Sequence, residues 1–465
     1  MPTTFLKSKQ SPAANQKPID VSFIVSGMID DVRENGDIAV RKYSEKFDKW
    51  SPASFKLSQA EIEVSIAQCS KQTIEDIKTV QNNVQAFAQA QKESLKDFEF
   101  EIQPGVILGQ KNLPIRTVGA YIPGGRYPLL ASAHMTILTA KVAGVPHVIG
   151  CTPPINGKIP HATVAAMHFA GADEIHILGG VQAIAAMAVG TDSIRKVDFI
   201  AGPGNAFVAE GKRQLFGEIG IDLFAGPTEI LIVADETADP FTVATDVISQ
   251  AEHGPDSPAV VITTSARVGR EAIRIIDHLL NHSDLSTADV ASVSWKHHGE
   301  VILVDTMQEA WKLADEYASE HVQIFTKRPR DALENMTAYG ALFLGENTCV
   351  SYGDKVCLPF QPSQPSPSLP QDEMADYEVQ VIGTNHVLPT RKAARYTGGL
   401  WIGKFLRTVT YQEVKDETAS GELGRLCGRA ARAENFEAHA RSGDLRAYRH
   451  LKDEIDWIAG VKVKL

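Results

Sequence analysis

The sequence predicts an α/β protein: two Rossmann-like lobes with mainly parallel sheets, plus N-terminal helices and a small C-terminal helical tail. Three observations carry this expectation. The chain has 465 residues, and a domain usually takes roughly 100–200. Hydrophobic residues make up 43% of it, enough for cores of useful size. From about Thr117, short apolar runs alternate with amphipathic stretches closed by Gly or Pro. That is the pattern of a parallel sheet with helices on both faces.

Taken in order, residues 1–20 are polar and lack the apolar core of a signal sequence, so they read as a disordered lead-in. Residues 21–115 read as a helical part packing on the second lobe. DDVRENGDIAVRKYSEKFDKW and SQAEIEVSIAQCSKQTIEDIKTVQNNVQAFAQAQKESL space their apolar residues near three and four. Residues 116–235 make a first α/β lobe. VGAYIP is a strand, LLASAHMTILTAKVAG a helix closed by Gly144, and VPHVIGCTPP and DEIHILGG are strands. KVDFIAGPGN leads into the helix AFVAEGKRQLFG, and TEILIVADE ends the lobe as a strand. Residues 236–355 make a second lobe: PAVVITTS, a helix over 269–281, EVILVD, the helix MQEAWKLADEYASEH, and VQIFTK. Residues 356–380 break the pattern with five prolines and almost no periodicity. Residues 381–410 hold a Gly-rich loop, and residues 411–465 read as a tail of helices with a final short strand.

Bulk properties exclude several classes. A net charge of −11 argues against nonspecific binding to nucleic acid or an anionic membrane. No apolar stretch is long enough to span a bilayer. Cys69, Cys151, Cys349, Cys357 and Cys427 form no CxxC pair, which fits a reducing, cytoplasmic setting better than a disulfide framework or a thiolate zinc site.

Several residues can carry chemistry. In DPFTVATDVISQAEHGPDS, Asp239 is a good N-cap, Pro240 a good first helical residue, and Gly254-Pro255 a stop. Gln250 and His253 then share one face of the last turn, where an amide oxygen and an imidazole can hold a metal. The alternative is a histidine capping its own helix. In ASEHVQI, Glu320 and His321 sit where a helix meets a strand. An adjacent acid and imidazole can share proton transfer there, or simply be solvated. IPGGRYP and AGPGNAF place backbone N–H groups at helix starts, which suits an anion. Neither is GxGxxG, so the standard dinucleotide fingerprint is absent. Asp354, His386, Glu434 and His439 offer further oxygen and nitrogen ligands from distant segments.

Together, GAYIPGGRYPLLASAHMTILTAKVAGVPHV, DFIAGPGNAFVAEGKRQLFG, DLFAGPTEILIVAD, SQAEHGPDSPAVVIT, ASEHVQI, YGDK and GTNHVLPT resemble the histidinol dehydrogenase family, in the family's order and from about Val21 to the tail. The resemblance implies one zinc per subunit, held by Gln250, His253, Asp354 and His439. It implies Glu320 and His321 as the catalytic acid–base pair, and Tyr121, Gln182 and Asn205 as NAD contacts. Thr228 falls where the family usually has serine in a substrate-binding AGPSE turn. His386 and Glu434 match further substrate contacts, beside Gln250, His253, His321, Asp354 and His439. It also implies a homodimer with an exchanged tail, in which Glu434 and His439 serve the partner's site. The implied reaction is the four-electron oxidation of histidinol to histidine in histidine biosynthesis. YGDK and IGTNHVLPTRKAARYTGGLWIGKFLRTVTYQEV are closer to a branch resembling sulfopropanediol 3-dehydrogenase. Lys355, Arg391 and Lys392 add positive charge that suits a sulfonate. A metabolite-binding paralogue without catalysis is the alternative of another class; loss of a zinc ligand or of the Glu–His pair would mark it, and none is lost.

One departure stands out. Asp354 and His386 lie 386 − 354 = 32 positions apart, whereas the family pattern GDxxxGxNH separates them by seven. Deleting residues 356–380 rejoins GDK to VIGTNHVLPT without a seam. Two origins account for the segment. One is a translated intron of 25 × 3 = 75 nucleotides, since Val356-Cys357 can encode GTATGT and Gln380 can encode CAG. The other is a solvated surface loop, which is thermodynamically cheap if its ends meet.

Overall fold

The computed structural model describes residues 3–10, 20–124, 129–223, 226–282, 285–354 and 383–460, with the side chain of Asp354 outside the description. The chain divides into two compact units, one of residues 1–92 and 115–405 and one of residues 93–114 and 406–465. The described strands are β1 (Thr4–Lys7), β2 (Phe98–Gln103), β3 (Val106–Pro114), β4 (Thr117–Tyr121), β5 (His147–Thr152), β6 (Glu174–Ile177), β7 (Phe199–Ala201), β8 (Gly220–Ile221), β9 (Ile230–Ala234), β10 (Ala259–Thr263), β11 (Gly299–Leu303), β12 (His321–Phe325), β13 (Ala341–Leu344) and β14 (Leu406–Val414).

The larger unit holds two sheets. The first has the order β6-β5-β4-β7-β8 and its described pairs are all parallel. The second has the order β1-β11-β10-β9-β12-β13, parallel except at the β1 edge. β9 shows why these strands read as unbroken apolar runs. Ile230, Ile232 and Ala234 enter the core beneath the helices Pro240–Ala251 and Ala266–His282, while Leu231 and Val233 enter the opposite core with Ala310, Trp311 and Ala314. A strand covered on both faces has no polar side to show. The mixed α/β fold with mainly parallel sheets is the one predicted.

Four expectations need correction. Residues 4–7 of the lead-in form β1 on the edge of the second sheet. Leu6 packs on that lobe's core, and the Lys7 ammonium donates to the Trp295 and Gly299 carbonyls, each at 2.7 Å. The N-terminal helices pack on the first lobe, not the second: Val25, Met28, Ile29 and Val32 of helix Ser22–Asn35 share a core with Val181 and Ile184 of helix Gly180–Val189. An amphipathic stripe announces that it is buried, not against what. Residues 98–114 are strands: FEFEIQ alternates with period two, and β2 and β14 flank β3 in an antiparallel sheet of the smaller unit. Finally β9, read as the end of the first lobe, is an inner strand of the second sheet.

The smaller unit contains that three-stranded sheet and the helices Glu417–Ala433, Glu437–Leu451 and Asp456–Ala459. The first two helices meet closely because Gly424 and Gly443 face each other; a Cβ on Gly424 would lie 2.4 Å from the Gly443 carbonyl oxygen. The tail's expected final strand lies outside the described residues, as does the segment 356–380. Among the described residues no helix is long and apolar enough to cross a membrane.

Candidate active site

Ligands of open α/β sheets usually bind outside the carboxyl ends of the strands. The catalytic pair predicted here sits at the opposite, amino edge of the second sheet. β9 and β12 pair in parallel with His321 opposite Ile230. The ladder runs one residue further, with His321 N–H donating to the Glu229 carbonyl over 3.3 Å. The same carbonyl lies 3.0 Å from His321 Nδ1. A carbonyl oxygen only accepts, so Nδ1 carries the ring proton and Nε2 the basic lone pair.

Glu320, just before the strand, is buried like His321. Its Oε2 accepts from the Thr228 hydroxyl over 2.7 Å and from Glu229 N–H over 3.0 Å, and lies 3.5 Å from His321 Nδ1. Ala341 N–H holds the Glu320 carbonyl over 2.9 Å. Gly340 is required beside it, since a Cβ there would sit 2.3 Å from that carbonyl oxygen. Glu229 itself is partly buried, and that desolvation raises its carboxyl pKa against the pull of Arg391 N–H, which donates to its Oε1 over 2.7 Å.

Helix Pro240–Ala251 begins as predicted: Asp239 accepts from Phe241 and Thr242 N–H, and Pro240 follows. Its far end returns to the same sheet edge. Gln250 is wholly buried, with Oε1 3.4 Å from Thr228 Oγ1 and Nε2 unpartnered among the described residues. His253 lies just past the helix, closed by a bond of 3.2 Å from its N–H to the Gln250 carbonyl. It lines a cleft of about 740 Å³ with Asn205, Gly226, Pro227, Asp256 and Arg391. The cleft thus lies between the amino edge of the second sheet and the carboxyl edge of the first.

Donor chemistry decides what could sit there. The buried Gln250 amide oxygen, in a long 3.4 Å contact with Thr228 Oγ1, and an imidazole three residues on fit a zinc ion, which takes oxygen and nitrogen ligands. Asp354 ends the short helix Val350–Asp354. His386 Nδ1 lies 3.4 Å from the Gly353 carbonyl, so the two ends of segment 355–382 meet. His439 and Glu434 belong to the smaller unit, where His439 is exposed on helix Glu437–Leu451 and Glu434 caps helix Glu417–Ala433. Among the described residues no three acidic, histidine or cysteine side chains form a metal-sized cluster; Gln250 and His253 close the same helix end, and the side chain of Asp354 lies outside the described residues.

The first sheet reverses its strand order between β4 and β7, and two of the three expected NAD contacts lie nearby. Tyr121 ends β4 but is buried, its hydroxyl accepting from Gly180 N–H over 3.0 Å; burial pushes its pKa to about 12. Gln182, also buried, donates to Asp48 over 3.1 Å. Asn205 lines the cleft and caps helix Ala206–Leu215, accepting from Phe207 and Val208 N–H. The turn before it is clamped. Gly202 has φ of 124°, and a Cβ there would lie 2.0 Å from the Tyr121 carbonyl oxygen. The buried Lys212 ammonium donates to the Gly202 carbonyl over 2.9 Å and pairs with Asp222, whose other oxygen accepts from Gly202 N–H over 2.7 Å. Sequence reasoning missed this clamp, the Glu229 carbonyl, and Thr390, whose hydroxyl accepts from Gly226 N–H over 2.5 Å. Only Lys212 left a signal, as a cation on an otherwise apolar helix face.

Comparison with known proteins shows the family and the fold. The model of the family described as histidinol dehydrogenase matches residues 11–360 and 368–447, and its break falls inside the proline-rich segment. A histidinol dehydrogenase homolog of Shouchella clausii is 54% identical over 92% of this chain and 94% of its own length. The sulfopropanediol 3-dehydrogenase of Ruegeria pomeroyi is 40% identical over 98% of both chains. The crystal structure of histidinol dehydrogenase from Elizabethkingia anophelis superposes with a TM-score of 0.84 at 31% identity, covering 96% of this chain and 95% of that one. The chain belongs to the histidinol dehydrogenase family and is a dehydrogenase.

Proposed function

We propose that the chain is a zinc-dependent, NAD-linked dehydrogenase that oxidises a small polar primary alcohol through a bound aldehyde to the carboxylate, with L-histidinol, giving L-histidine, as the family's own substrate. The observation that carries this reading is the buried Glu320–His321 pair, with His321 Nδ1 clamped on a carbonyl at 3.0 Å. The clamp leaves Nε2 as the base. In the first oxidation Nε2 takes the alcohol's hydroxyl proton while a hydride leaves carbon for NAD. In the second, Glu320 draws a proton from water as it adds to the aldehyde, and His321 Nε2, having released its first proton, takes one from the hydrate's hydroxyl as the hydride passes to a second NAD. Thr228 and Glu229 N–H orient the Glu320 carboxylate for that step. Zinc, held by Gln250, His253, Asp354 and the partner subunit's His439, would polarise the reacting oxygen. Glu434 would serve the partner's site in the same exchanged homodimer, which we place in the cytoplasm.

A second reading, oxidation of 2,3-dihydroxypropane-1-sulfonate, is favoured by the relative from Ruegeria pomeroyi and by Arg391 in the cleft wall. NADH formation by zinc-loaded protein on the two alcohols, with metal content measured beside it, tests both. Turnover of either alcohol that disappears with chelation is expected; zinc-loaded protein inert on both sinks the proposal.

A further inference from the structure

A histidine unused by this chemistry is buried beside the loop that carries His386. His134 opens the π-helical turn His134–Leu138, between the helical turns Ala131–Ala133 and Thr139–Ala143. Such turns recur at functional sites. The ring is wholly buried. Its Nδ1 lies 3.0 Å from Gln81 Nε2, which also donates to the Ala166 carbonyl over 2.9 Å. An amide nitrogen donates and does not accept, so Nδ1 must accept and the ring proton must sit on Nε2. Burial, then the charge of His386, pushes the ring's pKa down to about 3, so it stays neutral. Nε2–H is therefore a fixed donor, and it has no partner among the described residues.

An unmade buried donor costs about 1–3 kcal/mol. An aliphatic side chain would avoid that cost, so the position makes sense if an acceptor arrives from outside. Two contacts show where. Asn385 Nδ2 donates to the Met135 carbonyl over 2.9 Å, docking the loop that carries His386 on this same π turn. His386 in turn lies against Gly353, at the end of the helix that closes with Asp354.

We propose that His134 is a specificity-determining residue: its Nε2–H hydrogen-bonds an oxygen at the non-reacting end of the substrate, beside His386, and selects alcohols ending in an oxyanion over alcohols bearing an ammonium. The assignment rests on the reading of the site as an alcohol dehydrogenase, and it chooses the sulfonate over histidinol. A carboxylate or sulfonate only accepts and matches the donor; an ammonium only donates and would leave both groups unpaired.

The test uses full-length, zinc-loaded protein with NAD. In His134→Asn the amide oxygen takes the place of Nδ1, keeping the Gln81 bond, but nothing replaces Nε2–H. In His134→Gln an amide N–H reaches the position of Nε2. For dihydroxypropanesulfonate, His134→Asn should lose about 5- to 150-fold in kcat/KM, mainly through KM, and His134→Gln should recover most of it. L-Histidinol should not distinguish the three proteins. Equal losses with both alcohols, or no loss with the sulfonate, overturn the assignment. If wild-type protein oxidises neither alcohol, the alcohol-dehydrogenase reading fails by itself. His134 is then judged by calorimetric titration of wild type and His134→Asn with propane-1-sulfonate, butyrate and propan-1-amine. Oxyanion binding that is tighter than amine binding and is lost in the variant supports it; equal binding overturns it. The two anions separate sulfonate from carboxylate selectivity. Should His134→Asn not fold, the same titrations on wild type decide, absence of oxyanion preference being the contrary result.

Discussion

Thr228→Val removes the hydroxyl that donates to Glu320 Oε2 over 2.7 Å while nearly preserving side-chain volume. The hydroxyl has one proton, and the competing acceptor, Gln250 Oε1, lies at 3.4 Å, so that proton belongs to Glu320. The carboxylate keeps one described donor on this oxygen, Glu229 N–H at 3.0 Å. A hydrogen bond to a charged group contributes about 1.5–3 kcal/mol. Glu320 is 7% exposed, so water cannot readily replace the lost donor and the upper part of that range applies. At about 1.4 kcal/mol per decade, aldehyde oxidation should fall roughly 10- to 150-fold. Alcohol oxidation should fall less, because water enters only in the second step. Thr228→Ser keeps the hydroxyl and should stay within about threefold of wild type. Single-turnover NADH formation, started separately from alcohol and from aldehyde, reads the two steps apart. If Thr228→Val oxidises aldehyde at the wild-type rate, or if Thr228→Ser is as impaired as Thr228→Val, the role given to this hydroxyl is wrong.

Three further outcomes follow from the same geometry. Lys212→Met strips the buried Asp222 of its cation while Gly202 and Leu223 N–H remain on the carboxylate. It should cost about 3–5 kcal/mol in urea unfolding and raise the KM for NAD more than that for alcohol; an unchanged NAD KM would separate the clamp from the cofactor. His134 and His176 have pKa values lowered below 6.5 by burial. The unfolded chain therefore takes up their protons first, so stability is full above pH 6.5 and is lost as pH falls toward 3 for His134. Each histidine steepens the acid limb by at most about 1.4 kcal/mol per pH unit, and His134→Asn should flatten it by one such step; an acid limb unchanged in the variant contradicts the buried neutral ring. We also propose that residues 356–380 are a translated intron. Mature transcripts should lack the 75 nucleotides (25 × 3), and protein without the segment should retain its activity. Transcripts that keep them, together with peptides from SLPQDEMADYEVQ, point to a genuine loop.

What was legible in the sequence depended on whether a local pattern determined it. Asp239-Pro240 announced a helix start because capping is local. Glu320–His321 stood out because two titratable groups sat at a helix–strand boundary. By contrast, β9 joined the other lobe's sheet because a doubly covered strand looks the same in either. The N-terminal helices faced the first lobe because their stripe names no partner. The lead-in's strand was hidden by polar neighbours: only Phe5 and Leu6 are apolar, and the strand depends on an edge supplied by β11, almost three hundred residues away. Within the site, the tautomer of His321 is set by the carbonyl of Glu229, and a carbonyl leaves no trace in a side-chain pattern. Gly340 and Gly202 are explained only once a second backbone is seen against them. Tyr121 and Gln182, expected to contact NAD, are each positioned by a hydrogen bond, to Gly180 and Asp48, that their own sequence segments do not announce.

The measurement closest to the central claim is the stoichiometry of NADH formed per alcohol consumed by zinc-loaded protein, with the released product identified. The account predicts two NADH and a carboxylate for each alcohol, with no free aldehyde accumulating. It further predicts that His321→Asn abolishes both oxidations and that Glu320→Gln releases aldehyde after one NADH. One NADH per alcohol with free aldehyde from the wild-type protein, or equal loss of both oxidations in Glu320→Gln, would contradict it.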